Sequence, residues 1–297
     1  MKIGVLDFGD LTNIGHINDV VEGVVSYAQR AEKLGFSRFW LSEHHPKSLL
    51  WSNPMMMLSI LCTQTSRIQI GAGGILSAFH SPYLVYDYFK QLAIVFPDRI
   101  DLGFANGNPA PNIQQLLLNR QDVSDVARDK LYEDNVIKTI QLLMQQIKDE
   151  FILPLNFTQP NRWVLTSSCG RLELALRTGS DVCFSTFHST VDVASWKDEI
   201  LSFKEAFFHK HGRLPRVMLA FAGIIRDTQR KAEKKYLQEY NSKYHTLSGV
   251  LAGTADALQE KLYHWKREAE IDEFLFKDVE TGSKERKHTL KLISKIL

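Results

Sequence analysis

Glu43-His44-His45 is the run of side chains in this sequence best equipped for chemistry. It follows Phe36-Ser37-Arg38-Phe39-Trp40-Leu41 after one residue, Ser42, and that bulky and aromatic stretch suits a buried strand. Polar groups at the carboxyl end of such a strand sit where α/β enzymes keep their chemistry. An imidazole titrates close to neutral pH, so His44 is the candidate acid or base. His45 is its immediate neighbour and points to the opposite side of an extended chain, so it reads as a packing or loop-capping group. Two imidazoles turned apart do not readily share one ion, and no H-x-H stands on the first strand. No metal centre is expected.

The other candidates lie where further strands end. Phe8 and His188 are placed toward a substrate, and Asn106 closes the fourth strand. Gly71-Ala72-Gly73-Gly74 lacks the G-x-G-x-x-G spacing of a dinucleotide fingerprint. Gly73 and Gly74 read instead as a bare floor against a flat ring, or simply as a close backbone approach. Ser167-Ser168-Cys169-Gly170 opens a helix with small residues, and Arg171 adds a fixed positive charge. Such a turn suits an anion.

These positions require alternating strands and helices, and the pattern supplies them. Strands are expected over Ile3–Leu6, the Phe36–Leu41 stretch, Ile68–Gly74, Arg99–Ala105, Trp163–Thr166, Asp181–Phe187, Arg216–Ile225 and Ile271–Phe276. Between them run helices. Asp19 with Glu22 resembles a capping box for the first, and Asn53-Pro54 and Ser81-Pro82 open the second and third. Asn106 to Pro111 reads as loop, followed by a helix over Val126–Gln146. Later helices are expected from Gly170 to Arg177, Val191 to His209 and Thr228 to Asn241, then from Thr254 and from Glu285 to Ile296. Eight largely apolar strands, each followed by a helix, predict a closed (β/α)8 TIM barrel, with an open doubly wound sheet as the alternative. The weakly patterned stretch after strand seven, up to Gly253, is an excursion and a candidate mobile cover for the barrel mouth. With no low-complexity linker, residues 1–297 read as a single domain.

Composition narrows the function. Thirty-six basic and 34 acidic residues leave a net charge of +2, which gives no electrostatic case for nucleic acid or an acidic membrane. The basic stretch Lys284 to Lys295 reads as a solvated helix face. Three scattered cysteines, Cys62, Cys169 and Cys183, argue against a disulfide framework and for the reducing cytoplasm. Lys2 to Phe8 alternates like a strand rather than a signal peptide, and Val217 to Ile225 is too short to span a bilayer. Met55-Met56-Met57-Leu58 makes helix two apolar all round, which suggests the barrel on one side and a partner on the other.

Taken in order, these residues resemble the bacterial luciferase-like family of flavin-dependent oxidoreductases over nearly the whole chain. The resemblance rests on Ala31-Glu32-Lys33-Leu34-Gly35-Phe36 leading to Trp40 and Glu43-His44-His45. It continues through Thr65-Ser66-Arg67-Ile68, His80-Ser81-Pro82 and Pro97-Asp98-Arg99-Ile100-Asp101-Leu102-Gly103, then Gly253-Thr254 and Asp272-Glu273. It implies a β/α barrel that holds reduced FMN, or in some branches the deazaflavin F420, at its carboxyl face. His44 then aligns with a catalytic histidine beside the flavin, with Glu43 next to it in the cofactor site. Gly73-Gly74 aligns with a non-proline cis peptide under the ring. Ser167 to Arg171 covers the phosphate turn, and Arg128 matches a second phosphate arginine. Asn106 departs from the family pattern, because it stands where an arginine is common, so a direct phosphate charge is lost. Ala105 replaces the reactive cysteine of true luciferases, so light emission is not implied.

The resemblance leads first to a non-luminescent, FMNH2-dependent monooxygenase acting on a small-molecule or biosynthetic substrate. A separate flavin reductase would supply the cofactor, and the protein would be a homodimer joined through helix two. The alternatives are a flavin- or F420-dependent reductase of an activated alkene, such as a dehydroamino acid in a ribosomal peptide, and a non-catalytic flavin-binding subunit.

Overall fold

Nine parallel strands organise this computed structural model, which describes residues 1–11, 17–119, 124–145, 157–189, 192–243, 249–280 and 282–297. They are β1 (Ile3–Asp7), β2 (Arg38–Leu41), β3 (Gln69–Leu76), β4 (Ile100–Ala105), β5 (Asn161–Thr166), β6 (Asp181–Ser185), β7 (Val217–Ile225), β8 (Leu251–Gly253) and β9 (Glu273–Asp278). β1 to β7 pair in sequence order. β9 then pairs with both β7 and β1, which closes an eight-stranded barrel. The expected (β/α)8 TIM barrel is therefore the fold. β8 is an addition: it pairs only with Gly223–Ile225 at the end of β7 and lies inside the excursion. The excursion's centre, residues 244–248, lies outside the described residues, so its expected mobility does too.

The helices α1 (Ile17–Lys33), α2 (Met55–Gln64), α3 (Pro82–Val95), α4 (Pro111–Leu118), α5 (Asp125–Leu143), α6 (Leu172–Thr178), α7 (Lys197–His211), α8 (Gln229–Lys243), α9 (Ala255–Glu268) and α10 (Ser283–Ile293) run between and beyond the strands. α1 already includes Asp19, so that residue is not its cap. α4 lies where loop composition led to no helix; Pro111 sets its first turn. Thr254 caps α9 as expected, its hydroxyl accepting from the Ala257 amide at 3.3 Å.

Strand alternation divides each strand between two cores. One set faces the helices. The other fills the barrel with Leu6, Trp40, Trp163, Cys183, Met218, Ala220, Ala222 and Leu275. At the amino end the interior is plugged by charge. Arg38 donates to Asp101 and to Glu273 at 2.5 Å each, and Asp101 also accepts from the Trp40 and Trp163 indoles and from Asn161. The carboxyl end is left open.

Candidate active site

A cavity of about 630 Å³ opens at the carboxyl ends of the strands, a size suited to one small ligand. Its walls bring together eight of the residues singled out in the sequence: Phe8, Glu43, His44, Gly73, Gly74, Asn106, Ser167 and His188. Leu6, Leu76, Leu165, Phe187 and Leu275 make much of the remainder apolar. A chain of rings crosses the site, with Phe8 4.3 Å from His44 and 6.1 Å from Phe187, and Phe187 4.7 Å from His188.

Glu43 and His44 have opposite environments although they are neighbours in sequence. The Glu43 carboxylate is fully buried, and its oxygens engage His45 at 3.0 Å, His80 at 2.8 Å and the Leu76 amide at 2.8 Å. Burial opposes its charge, but these hydrogen bonds outweigh burial and hold its pKa down at about 2. Glu43 therefore ties the end of β2 to the end of β3, and His45, which also lines the cavity, is one of its partners rather than a free group. The His44 backbone is anchored by its amide, which donates to the Trp51 carbonyl at 2.8 Å. Its Nε2 is buried and has no hydrogen-bond partner among the described residues. Burial, with the positive charges of His188 and Lys277, pushes its pKa down to about 4. His44 is thus neutral at pH 7, with a nitrogen free to give or take a proton inside the cavity.

The Gly73-Gly74 peptide is cis. A Cβ on Gly73 would lie 2.3 Å from the Trp40 ring, and one on Gly74 would lie 2.7 Å from the Gly103 carbonyl oxygen. The glycines are therefore required by the barrel behind them, which leaves their backbone as the cavity floor. Of the two readings open in the sequence, this is the close approach, to the Gly103 backbone and to the Trp40 ring, and the absent side chains point away from the ligand space.

The turn after β5 forms the cavity's edge only at Ser167; Ser168, Cys169, Gly170 and Arg171 lie beyond its walls. The Ser168 amide donates to Thr166 Oγ1 and the Gly170 amide to Ser168 Oγ, so two of the amides expected to face an anion are already engaged. Cys169 is a free thiol, with its pKa raised to about 11 by burial. Arg171 pairs closely with Asp129 and donates to Glu133 at 2.8 Å. Arg128 donates to Asp125 at 2.6 Å and to Asn108 at 3.0 Å. Asn106 donates to Asp129 at 2.6 Å, while its side-chain carbonyl oxygen is buried without a partner among the described residues.

Comparison with known proteins agrees with this geometry. The sequence model of the luciferase-like monooxygenase family matches residues 1–285. The chain belongs to that family. A luciferase-like monooxygenase of Escherichia coli K12 is 24% identical over 238 residues, 78% of this chain and 69% of that protein. The N-acetyl-S-alkylcysteine monooxygenase of Bacillus subtilis is 33% identical over 104 residues, 35% of this chain and 31% of that protein. Among solved structures, the oxygenating constituent of 3,6-diketocamphane monooxygenase from Pseudomonas putida, in complex with FMN, superposes with a TM-score of 0.77 at 13% identity, covering 100% of this chain and 96% of that one. An F420-dependent secondary alcohol dehydrogenase holding an F420-acetone adduct superposes at 0.73 with 14% identity, covering 100% and 99%.

The residues present fit a flavin ring. The luciferase-like cavity has a flat peptide floor without side chains, apolar walls, and, among the described residues, three buried unpartnered polar atoms on its lining residues, His44 Nε2, Asn106 Oδ1 and Ser185 Oγ. Ser185 escaped sequence reading because β6 was extended to Phe187; it ends at Ser185, and Thr186–His188 form a 3₁₀ turn. Lys277 was also missed. It alternates with Leu275 into the barrel, its ammonium 5.0 Å from the Phe8 ring centroid and donating to the Asp278 carbonyl at 2.6 Å. In the basic stretch Lys284, Lys291 and Lys295 are exposed, as a solvated face requires, but Arg286 turns inward from α10 to pair closely with buried Asp7. Neither signal was local, since each is recognisable only through a partner at the other end of the chain.

Proposed function

We propose that this protein is a monooxygenase that takes reduced FMN as a co-substrate and oxygenates a small, largely apolar molecule. The observation that carries the reading is His44: a neutral imidazole with a buried, unpartnered Nε2, set in a cavity floored by the Gly73–Gly74 peptide. When bound, reduced flavin supplies the two electrons that oxygen activation needs. The backbone of Gly73 and Gly74 would support the ring, and Asn106 with the Ser167–Arg171 turn would receive the tail. Phe8, Phe187 and His188 would close around substrate and exclude water. His44 would hold or pass a proton at Nε2.

The protein would depend on a separate flavin reductase. We also infer a homodimer. α2 buries Met57, Leu58, Leu61 and Cys62 but leaves Met56 75% exposed, and α3 exposes Leu84 and Val95. Three free thiols favour a reducing compartment, the cytoplasm.

The test is oxygen consumption with enzymatically reduced FMN and a panel of small thioethers and cyclic ketones, chosen from the substrates in the names of the relative and the structural neighbour. The expected result is substrate-dependent oxygen uptake with one oxygen atom added to the product. Product formed anaerobically from reduced FMN or F420 would replace this reading with a reductase.

A further inference from the structure

Beyond the cavity wall, next to its lining residue Asn106, a polar network is built around a carboxylate. Asp129 lies on the first turns of α5, between Asn106 at the end of β4 and Arg171 after β5. It accepts from the Asn106 amide at 2.6 Å and holds one side of the Arg171 guanidinium; Glu133 holds the other at 2.8 Å. The Arg171 guanidinium is further fixed over the Tyr132 ring, 5.1 Å from its centroid. The remaining guanidinium nearby, on Arg128, is engaged by Asp125 and Asn108. The Arg171 guanidinium is thus already engaged on both sides by acceptors of the protein, whereas Arg128 is engaged through Nη1 alone, its Nε being buried without a partner among the described residues.

We infer that Asp129 is a specificity residue: it makes this site read the flavin tail as uncharged, accepting riboflavin as well as FMN or better. The inference rests on the flavin reading given above. A terminal phosphate dianion reaching Arg171 must displace Asp129 or share the cation with it. Either way two anions of like sign face each other across one guanidinium, which is itself only 19% exposed and lies over the Tyr132 ring. A ribityl chain ending in a hydroxyl meets no such repulsion. It can donate to the side-chain carbonyl oxygen of Asn106, which is buried and has no partner among the described residues. The arrangement suits a flavin that is borrowed and released rather than kept.

The experiment is an anaerobic titration of the full-length protein with reduced FMN and with reduced riboflavin, read by quenching of tryptophan fluorescence. It is run on wild type, Asp129→Asn and Asp129→Ala. Asp129 is 45% exposed in its side chain, so both variants should fold, and circular dichroism checks this. Wild type should bind riboflavin at least as tightly as FMN. Asp129→Asn should tighten FMN by roughly tenfold or more, as expected for removing one like charge at contact range, and leave riboflavin within about twofold. Wild type preferring FMN by tenfold or more, or an FMN affinity indifferent to both substitutions, overturns the inference while the flavin reading stands. Binding of neither flavin by wild type overturns both.

Discussion

The two ends of one barrel treat buried polar atoms in opposite ways. At the amino end the Arg38 guanidinium meets two carboxylates, and Asp101 takes four donors: Arg38, Trp40, Trp163 and Asn161. The Arg38 charge also lies 4.8 Å from the Trp163 ring centroid. At the carboxyl end His44 Nε2, Ser185 Oγ and Asn106 Oδ1 are buried with no partner among the described residues. Leaving one such group unmade costs about 1–3 kcal/mol. The plug leaves one buried atom, Arg38 Nε, without a partner among the described residues but matches its carboxylates with several donors, whereas the three orphans at the carboxyl end all belong to residues that line one cavity. Buried polarity at one end maintains the barrel; at the other it faces the cavity.

The largest effect should come from breaking the plug. Arg38→Met leaves Asp101 and Glu273 buried without their counter-ion, and loss of one partner of a buried pair costs about 3–5 kcal/mol. The midpoint of urea unfolding should fall accordingly, and activity should disappear with the fold. A variant as stable as wild type would show that the plug is not structural, and the contrast between the ends would collapse.

Next comes the open end. His44→Ala should lower turnover by roughly 10²–10⁴, the range for a lost acid or base, with the unfolding midpoint unchanged or raised. A rise is plausible because a buried, unpartnered nitrogen is removed. Wild-type kinetics in this variant would take His44 out of the chemistry. A large loss of stability would make it part of the scaffold, like Arg38.

The same contrast explains what could be read from sequence. The eight strands were legible because each is a short apolar run bounded by turn or capping residues, and Glu43-His44-His45, Gly73-Gly74 and Ser167 were legible because they follow those runs closely. What escaped depends on partners distant in sequence. Arg38 sits inside an apolar strand, and nothing local shows that Asp101 and Glu273 converge on it. Arg286 lies among lysines and looks solvated until β1 brings Asp7 to it. Asp129 and Glu133 occupy a helix whose relation to Arg171 is set only by barrel closure. Local pattern names the elements and their ends; closure alone assigns charge to charge.

The smallest effect is a difference in pH dependence between the two neighbours at the end of β2. Glu43 is saturated with donors and its folded pKa is lowered from 4.5 to about 2. As pH falls, the unfolded chain takes up this proton first. The stability Glu43 contributes is therefore present above about 4.5 and is lost as pH drops toward 2. His44 is lowered from 6.5 to about 4 by burial and by neighbouring positive charge. Here too the unfolded chain is protonated first, so stability is lost in a separate and higher window, as pH falls from 6.5 to 4. Unfolding midpoints measured from pH 7 to 3 should show both losses in wild type. His44→Phe should flatten only the upper window, and Glu43→Gln only the lower. If His44→Phe leaves the slope between pH 6.5 and 4 unchanged, the imidazole is not held neutral by its burial, and the open end owes its reactivity to something other than an unpartnered histidine.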